Sequence, residues 1–222
     1  LDRHPVPVGD QRAAAEDTEV VVRTEVKGKG EPLQLDYRLE KANADWKIYD
    51  VNVLGTQHIV SAIEAMERKP LLAYCSSLAV FGPQDKPPPR TLNERPIASD
   101  HYTRHKIASE EMVQCLRSPW VILRLGGMAD SRMRNRGLAP AKYALAMSAN
   151  NRFEYIHPKD AATAFVNALT QTQAHNTIHL IGGGRDCQVT HKDILNATLG
   201  AVGITLDESD FGERQLYADW AD

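Results

Sequence analysis

Two hydrophobic periods divide the sequence near residue 52. Before that point, apolar and polar residues alternate, and turn-forming residues at Gly28–Gly30 and Asn43–Asp45 interrupt the alternation. The apolar segments are Val20–Val26, Leu33–Leu39 and Trp46–Val51. A period of two with turns between the segments predicts an antiparallel meander of three strands with one buried face.

After Asn52 the pattern changes to helical spacing that alternates with short, continuous apolar runs. The predicted helices cover 54–68, 101–116, 141–149, 159–169 and 191–199, and the predicted strands cover 71–77, 120–125, 153–156 and 177–181. Strands alternating with helices imply βαβ units and a parallel sheet. The sequence therefore predicts an α/β fold with a partial Rossmann-like parallel sheet. It assigns a meander domain to 1–51 and an α/β domain to 52–222.

Composition and charge narrow the classes of partner. The 222 residues carry a formal net charge of -3, which gives no electrostatic case for nucleic acid or an anionic membrane as a partner. Three scattered cysteines favour a reducing compartment over a disulfide framework and predict no metal site. No apolar run approaches the ~20 residues that span a bilayer. The first residues, Leu1–Pro5, form no apolar signal core. Together these features predict a fragment of a cytoplasmic protein.

Candidate chemistry lies in the second half of the sequence. Tyr102 and Lys106 are four residues apart on a predicted helix, so their side chains share one face. An ammonium beside a phenol favours the phenolate, which can act as a base. Ser77 ends a buried strand at the edge where α/β sheets place ligands. Taken separately, such residues are more often a solvated helix face and an ordinary strand end than a catalytic site.

Five motifs in order make the pattern specific. They are Asn52-Val53-Leu54-Gly55-Thr56, Ser76-Ser77-Leu78-Ala79-Val80-Phe81-Gly82, Tyr102-Thr103-Arg104-His105-Lys106, Val121-Ile122-Leu123-Arg124 and Tyr155-Ile156-His157-Pro158-Lys159-Asp160-Ala161-Ala162. With these motifs, residues from about 52 to 222 resemble the extended short-chain dehydrogenase/reductase family, also called the NAD-dependent epimerase/dehydratase family.

The resemblance implies roles for individual residues. Tyr102 would be the general acid/base, with Lys106 favouring its phenolate and holding the nicotinamide ribose. Ser77 would orient the substrate oxygen, and Asn52 would support a proton-relay water. Ser76 and Arg124 would join Tyr102 and Lys106 in binding the cofactor.

The same resemblance implies ligands and partners. The cofactor would be NAD or NADP. The substrate would be a small carbonyl/alcohol pair, with a nucleotide sugar among the candidates. A homodimer is a further expectation.

The glycine-rich turn of that family is missing from these residues. A G-x-x-G-x-x-G turn lets the backbone approach a pyrophosphate at a helix N-terminus. Gly28–Gly30 lies between predicted strands, and Gly126-Gly127 and Gly182–Gly184 come late and lack the spacing. The resemblance therefore predicts impaired cofactor binding in this chain.

The meander has a resemblance of its own. The segments Leu35-Asp36-Tyr37-Arg38-Leu39 and Trp46-Lys47-Ile48-Tyr49-Asp50-Val51, within about 18–55, resemble the C-terminal strands of the toluene-tolerance (MlaC-like) phospholipid-carrier family. The two resemblances meet at Asp50–Gly55, which suggests a chimera joined there. A natural protein with an unusual N-terminus is the alternative. Two other hypotheses stay open: a lipid- or hydrophobe-binding module built on the meander, and an inactive chimeric or engineered fold.

Overall fold

The structure is a computed structural model. It describes residues 6–7, 19–26, 33–42, 45–50, 52–82, 87–129, 145–200, 203–214 and 220–221, with side chains from residue 53 onwards. The chain forms two compact units, Leu1–Glu67 and Arg68–Asp222. The first unit thus includes residues beyond 52, and the domain boundary at 51–52 stays a prediction from the sequence.

The first unit contains the predicted meander. Its strands are β1 (Val6–Pro7), β2 (Glu19–Val26), β3 (Leu33–Ala42) and β4 (Asp45–Asp50), paired in that order and antiparallel. The three predicted strands are confirmed, and the two-residue β1 was not predicted. So short a strand has no period to detect, and proline is tolerated at a sheet edge. Helix α1 (Asn52–Ala65) follows β4.

The second unit is built on a parallel sheet, which confirms the predicted α/β class. Strands β5 (Leu72–Ser77), β6 (Trp120–Leu125) and β9 (Thr177–Ile181) pair in the order β5-β6-β9. Helix α2 (His101–Gln114) connects β5 to β6 and packs on both. Helix α3 (Pro158–Thr170) precedes β9 and also packs on β5 and β6.

A second small sheet lies after β6 in the chain. It contains β7 (Gly127–Met128), β8 (Arg152–Ile156) and β10 (Gln188–Thr190), with β8 in the centre. The pairing of β8 with β7 is parallel and that with β10 is antiparallel. Of the helix predicted at 141–149, residues 141–144 lie outside the described residues. In 145–149 only residue 145 is helical, and Met147 instead forms a β-bridge with Arg214, so this part of the prediction is wrong.

Helix α4 (His191–Gly200) begins with a capping box between Thr190 and Asp193. The amide of Asp193 donates to Thr190 Oγ1 at 3.2 Å, and the amide and hydroxyl of Thr190 both donate to the Asp193 carboxylate. Hydrogen bonds from Thr190 lower the pKa of Asp193 below its ordinary value, because they stabilise the ionised carboxylate. The cap therefore stabilises the fold at neutral pH and weakens as the pH falls through the acidic range where Asp193 protonates.

Strand β6 is buried on both faces. Val121, Leu123 and Leu125 point to one face and form a core cluster with Ile156 and Ala161. The intervening residues of β6 point to the opposite face, towards α2. A continuous apolar run is the sequence signature of such a doubly covered parallel strand.

A tight turn follows β5. Residues Leu78–Phe81 form one 3-10 turn, and Gly82 closes it with φ 62° and ψ -175°. The amide of Ile97 donates to Val80 O at 2.8 Å, which ties the segment before α2 to this turn. A β-carbon on Gly82 would lie 2.9 Å from Ile97 O. Glycine is therefore required here for two reasons, backbone conformation and space.

We expect Gly82→Ala to lower the free energy of unfolding by about 1–3 kcal/mol, the usual cost of a strained backbone position. Thermal denaturation followed by circular dichroism measures the change. Gly200→Ala is the matched control, because a β-carbon on Gly200 meets nothing within 4 Å. Equal melting temperatures for the two variants would contradict the strain assigned to Gly82.

Among the helices described, none has the length and apolar character to cross a membrane. Within the same described part of the chain, no group of three or more His, Cys, Asp or Glu side chains could hold a metal ion.

Candidate active site

The start of α2 fixes the direction of the proposed catalytic side chains. Asp100 caps the helix by accepting a hydrogen bond from the Thr103 amide at 2.7 Å. Thr103 Oγ1 in return accepts from the Asp100 amide at 3.0 Å, which completes a capping box. Thr103 is fully buried, whereas Tyr102 is 46% exposed. The cap therefore leaves Tyr102 in the first turn of α2, facing solvent.

Lys106 lies one turn further along α2, between two tyrosine rings. Its Nζ is 5.8 Å from the ring centroid of Tyr102 and 5.2 Å from that of Tyr74 on β5. It also donates a hydrogen bond to Cys75 O at 2.9 Å. Cation–π attraction and this hydrogen bond hold the ammonium at the carboxyl-terminal half of β5.

Ser77 is the last residue of β5. Its Oγ accepts a hydrogen bond from the Ala79 amide at 3.2 Å and so caps the 3-10 turn. A hydroxyl has one proton and two acceptor lone pairs, so Ser77 keeps its proton for another partner. The structure thus brings Tyr102 and Lys106 together on α2, which packs against β5 and against the turn that Ser77 begins.

Ser76 and Arg124 point away from solvent, to a buried carboxylate. Ser76 donates its hydroxyl to Glu110 Oε1. Arg124 donates Nε to Glu110 Oε1 at 3.0 Å and Nη2 to Oε2 at 2.7 Å. All three side chains are almost completely buried. The described side-chain hydrogen bonds of Ser76 and Arg124 therefore go to Glu110 in the protein interior, and the predicted cofactor contacts of these two residues stay predictions.

Asn52 is the first residue of α1, in the first unit. Its backbone is described and its side chain is not. The predicted relay role of Asn52 stays a prediction.

Three residues of this region were given no role from the sequence: Glu110, Tyr74 and Phe81. Phe81 has its ring centroid 5.1 Å from the Arg124 guanidinium. One signal could have indicated Glu110. An arginine within a buried strand needs a buried counter-charge, and Glu110 lies one turn after Lys106 on the same helix face.

Two cavities lie elsewhere in the second unit. One, of about 520 Å³, lies at the carboxyl end of β9 and is lined by Glu154 and Trp220. The other, of about 670 Å³, lies beside α2 and is lined by Glu110 and Glu111. Ser77, Tyr102 and Lys106 line neither of them. Of these three residues, Tyr102 is exposed and Ser77 and Lys106 are half-buried.

Residues 38–182 match the NAD dependent epimerase/dehydratase family. The match covers more than half of the chain and includes β5, α2 and β6. The chain belongs to this family. The predicted resemblance is thereby confirmed.

Residues 4–64 match a second family, described as MlaC protein. The two matches overlap at 38–64. The predicted resemblance of the meander is thus also confirmed, and the match covers most of the first unit. A comparison with curated proteins finds no match.

Solved structures with the same fold include several epimerases and dehydratases. One is dTDP-glucose 4,6-dehydratase from Bacillus anthracis in complex with NAD, with a TM-score of 0.63 and 16% identity, covering 78% of this chain and 59% of that one. A second is UDP-glucuronic acid 4-epimerase from Bacillus cereus in complex with UDP-glucuronic acid and NAD, with a TM-score of 0.61, 20% identity and coverage of 78% and 58%. A third is UDP-glucose 4-epimerase from Thermus thermophilus in complex with NAD, with a TM-score of 0.58, 20% identity and coverage of 78% and 61%.

At these identities the likeness is one of fold. The chain spans between 58% and 61% of the length of those three proteins. This epimerase/dehydratase family member thus contains the strand–helix core in which the Tyr102–Lys106 pair lies.

Proposed function

We propose that this chain carries the proton-transfer part of an NAD(P)-dependent oxidoreductase, epimerase or dehydratase of the extended short-chain type. The substrate class is a nucleotide sugar with an alcohol or carbonyl group. The observation that carries the proposal is the position of the Lys106 ammonium, 5.8 Å from the Tyr102 ring and hydrogen-bonded to β5. The three solved relatives act on nucleotide sugars or are named for them, which supports the substrate class.

The proposed chemistry follows from the charges at the start of α2. The Lys106 ammonium and the positive end of the helix dipole both stabilise negative charge on the Tyr102 oxygen. In the oxidative direction, the Tyr102 phenolate takes the proton of the substrate hydroxyl, and Ser77 donates a hydrogen bond to the same oxygen. In the reductive direction, Tyr102 returns that proton to the carbonyl oxygen.

NAD or NADP, when bound, would accept or return a hydride at the nicotinamide ring. The residues present fit the nicotinamide ribose. An ammonium has three donors, and the described hydrogen bonds of Lys106 use one of them, to Cys75 O. The residues present offer no G-x-x-G-x-x-G turn for the pyrophosphate. The fit is therefore to the nicotinamide half of the cofactor.

We expect this chain to bind NADH and reduced nicotinamide mononucleotide with similar affinity. The two molecules share the nicotinamide and its ribose, and this is the part of the cofactor that the residues of this chain fit. Lys106→Ala should weaken the binding of both about 10- to 100-fold, the usual effect of losing hydrogen bonds from a charged donor. Titration of nicotinamide fluorescence measures both affinities.

Arg104→Ala is the matched control, because Arg104 is an exposed cation on the same helix but not on the face of Lys106. It should leave both affinities unchanged. Tight binding of either nicotinamide that survives Lys106→Ala would argue against the proposed ribose contact.

Turnover tests the function itself. The purified chain is mixed with NAD or NADP and with UDP- and dTDP-hexoses, the sugars are analysed by mass spectrometry and NMR, and the absorbance of the reduced nicotinamide is followed. Conversion of one of these sugars is the expected result, with net cofactor reduction only for a dehydrogenase, because an epimerase or dehydratase returns the hydride to the sugar. A chain that binds the reduced cofactor and converts none of the sugars would contradict the substrate class.

A hydrophobe-binding role is the second candidate, supported by the match of residues 4–64 to the MlaC family. That role needs an apolar cavity behind β2–β4, and the side chains of residues 1–52 lie outside the described residues. The chimera, the homodimer and the cytoplasmic location stay predictions from the sequence.

A further inference from the structure

Two side chains of α2 hold consecutive residues of β5. Lys106 donates to the carbonyl oxygen of Cys75, and Glu110 accepts the hydroxyl of the next residue, Ser76. Residues four apart on a helix lie one above the other on the same face. The two contacts therefore fix how far α2 can slide along β5, and with it the distance from α2 to Ser77.

The Glu110 carboxylate is itself held on both oxygens. Glu110 is 2% exposed and Arg124 is 3% exposed. The guanidinium of Arg124 donates to both carboxylate oxygens, at 3.0 and 2.7 Å. Such two-pronged ion pairs have a defined geometry as well as a favourable energy. Glu110 therefore has little freedom to move relative to β6.

The same ion pair reaches the turn after Ser77. The Arg124 guanidinium lies 5.1 Å from the ring centroid of Phe81, which ends the 3-10 turn and is 1% exposed. One buried network thus touches β5, β6, α2 and the turn capped by Ser77. These are the elements that carry the proposed chemistry.

We propose that Glu110 is a positioning residue for proton transfer. It sets where the Lys106 ammonium stands relative to Tyr102 and to the Ser77 hydroxyl. The inference rests on the proposed function, since positioning matters for chemistry only if Tyr102 transfers a proton. In this role Glu110 acts through Ser76, Arg124 and the helix rather than by direct contact with substrate or cofactor.

The first readout needs no activity. Lysine amines are reductively methylated with ¹³C-formaldehyde, a change that keeps their charge, and the Lys106 signal is assigned by its loss in Lys106→Arg. Because the ammonium lies over the rings of Tyr74 and Tyr102, its signal should be displaced from those of exposed lysines. In Glu110→Gln the signal should move towards the exposed position. Glu111→Gln, an exposed neighbour on α2, should leave it unchanged.

The second readout is kinetic. Glu110→Gln should lower kcat about 100-fold with KM changed less than about threefold, because a misplacement of about 1 Å affects the transition state more than binding.

Ser76→Ala gives a second variant that removes one hydrogen bond to Glu110 and leaves the ion pair. Circular dichroism melting verifies that each variant folds, and Ser76→Ala carries the test if Glu110→Gln does not fold. An unchanged Lys106 signal in the folded variant overturns the positioning role, whatever the activity. A wild-type chain without turnover refutes the proposed function instead, and a moved Lys106 signal then still supports the placement of Lys106 by Glu110.

Discussion

Replacement of Tyr102 by phenylalanine is expected to lower kcat about 10²- to 10⁴-fold, the usual contribution of a positioned acid or base. The variant keeps the aromatic ring and therefore the cation–π contact with Lys106 at 5.8 Å. It removes the oxygen that, in the proposed function, gains and loses the substrate proton. Neither Ser77 nor Lys106 can replace that oxygen, because a hydroxyl is a far weaker acid than a phenol and Lys106 is held by Cys75 O.

The fold should be unaffected by the same change. Tyr102 is 46% exposed, so its oxygen lies near solvent and its loss leaves no cavity. We expect the free energy of unfolding to change by less than about 0.5 kcal/mol, as for other surface substitutions. Steady-state kinetics and thermal denaturation of one preparation measure both quantities.

Tyr155→Phe is the matched control for this prediction. Tyr155 lies on β8, and burial raises the pKa of its phenol above the ordinary tyrosine value, which disfavours a role as base at neutral pH. Its loss should leave kcat unchanged. A Tyr102→Phe chain that retains wild-type turnover would remove the proton-transfer role from Tyr102.

The second large effect is on stability. Leu123→Ala is expected to lower the free energy of unfolding by about 2–5 kcal/mol. Leu123 is 1% exposed and lies in β6, between β5 and β9. It belongs to the core cluster with Val121 and Leu125, so its truncation removes apolar contact and leaves a cavity that neighbouring strands cannot close. Chemical denaturation followed by circular dichroism measures the loss.

Leu169→Ala provides the same substitution at an exposed site. Leu169 lies near the end of α3 and is 49% exposed. We expect its free energy of unfolding to stay within about 0.5 kcal/mol of wild type. Similar losses for the two variants would show that β6 is not the centre of the core.

The sequence predicts well the elements that carry a long, regular pattern. Strand β6 is predicted at 120–125 and found at Trp120–Leu125, because a continuous apolar run between turn residues has few other readings. The meander strands are predicted because apolar and polar residues alternate regularly along them. Strands β1, β7 and β10, with two or three residues each, are missed, since their pairing depends on neighbours distant in sequence.

The sequence likewise predicts one part of the candidate site and misses another. The helix position of Tyr102 and Lys106 follows from their spacing, and the structure places both on α2. The partner of Arg124 could not be predicted from the sequence, because Glu110 lies 14 residues earlier in the chain and in a different element. A helix period indicates which residues share a face, but it does not identify the strand side chain opposite. The sequence therefore assigned Arg124 to the cofactor, whereas its described hydrogen bonds go to Glu110.

The hydrogen bond from Lys106 to β5 joins helix α2 to that strand. Because the lysine contributes to the fold in this way, selection for stability would retain it even in a homologue that has lost all enzymatic activity. Among the described hydrogen bonds, none joins the exposed Tyr102 to another element. Among homologues, a retained tyrosine at this position would therefore indicate catalytic activity better than a retained lysine.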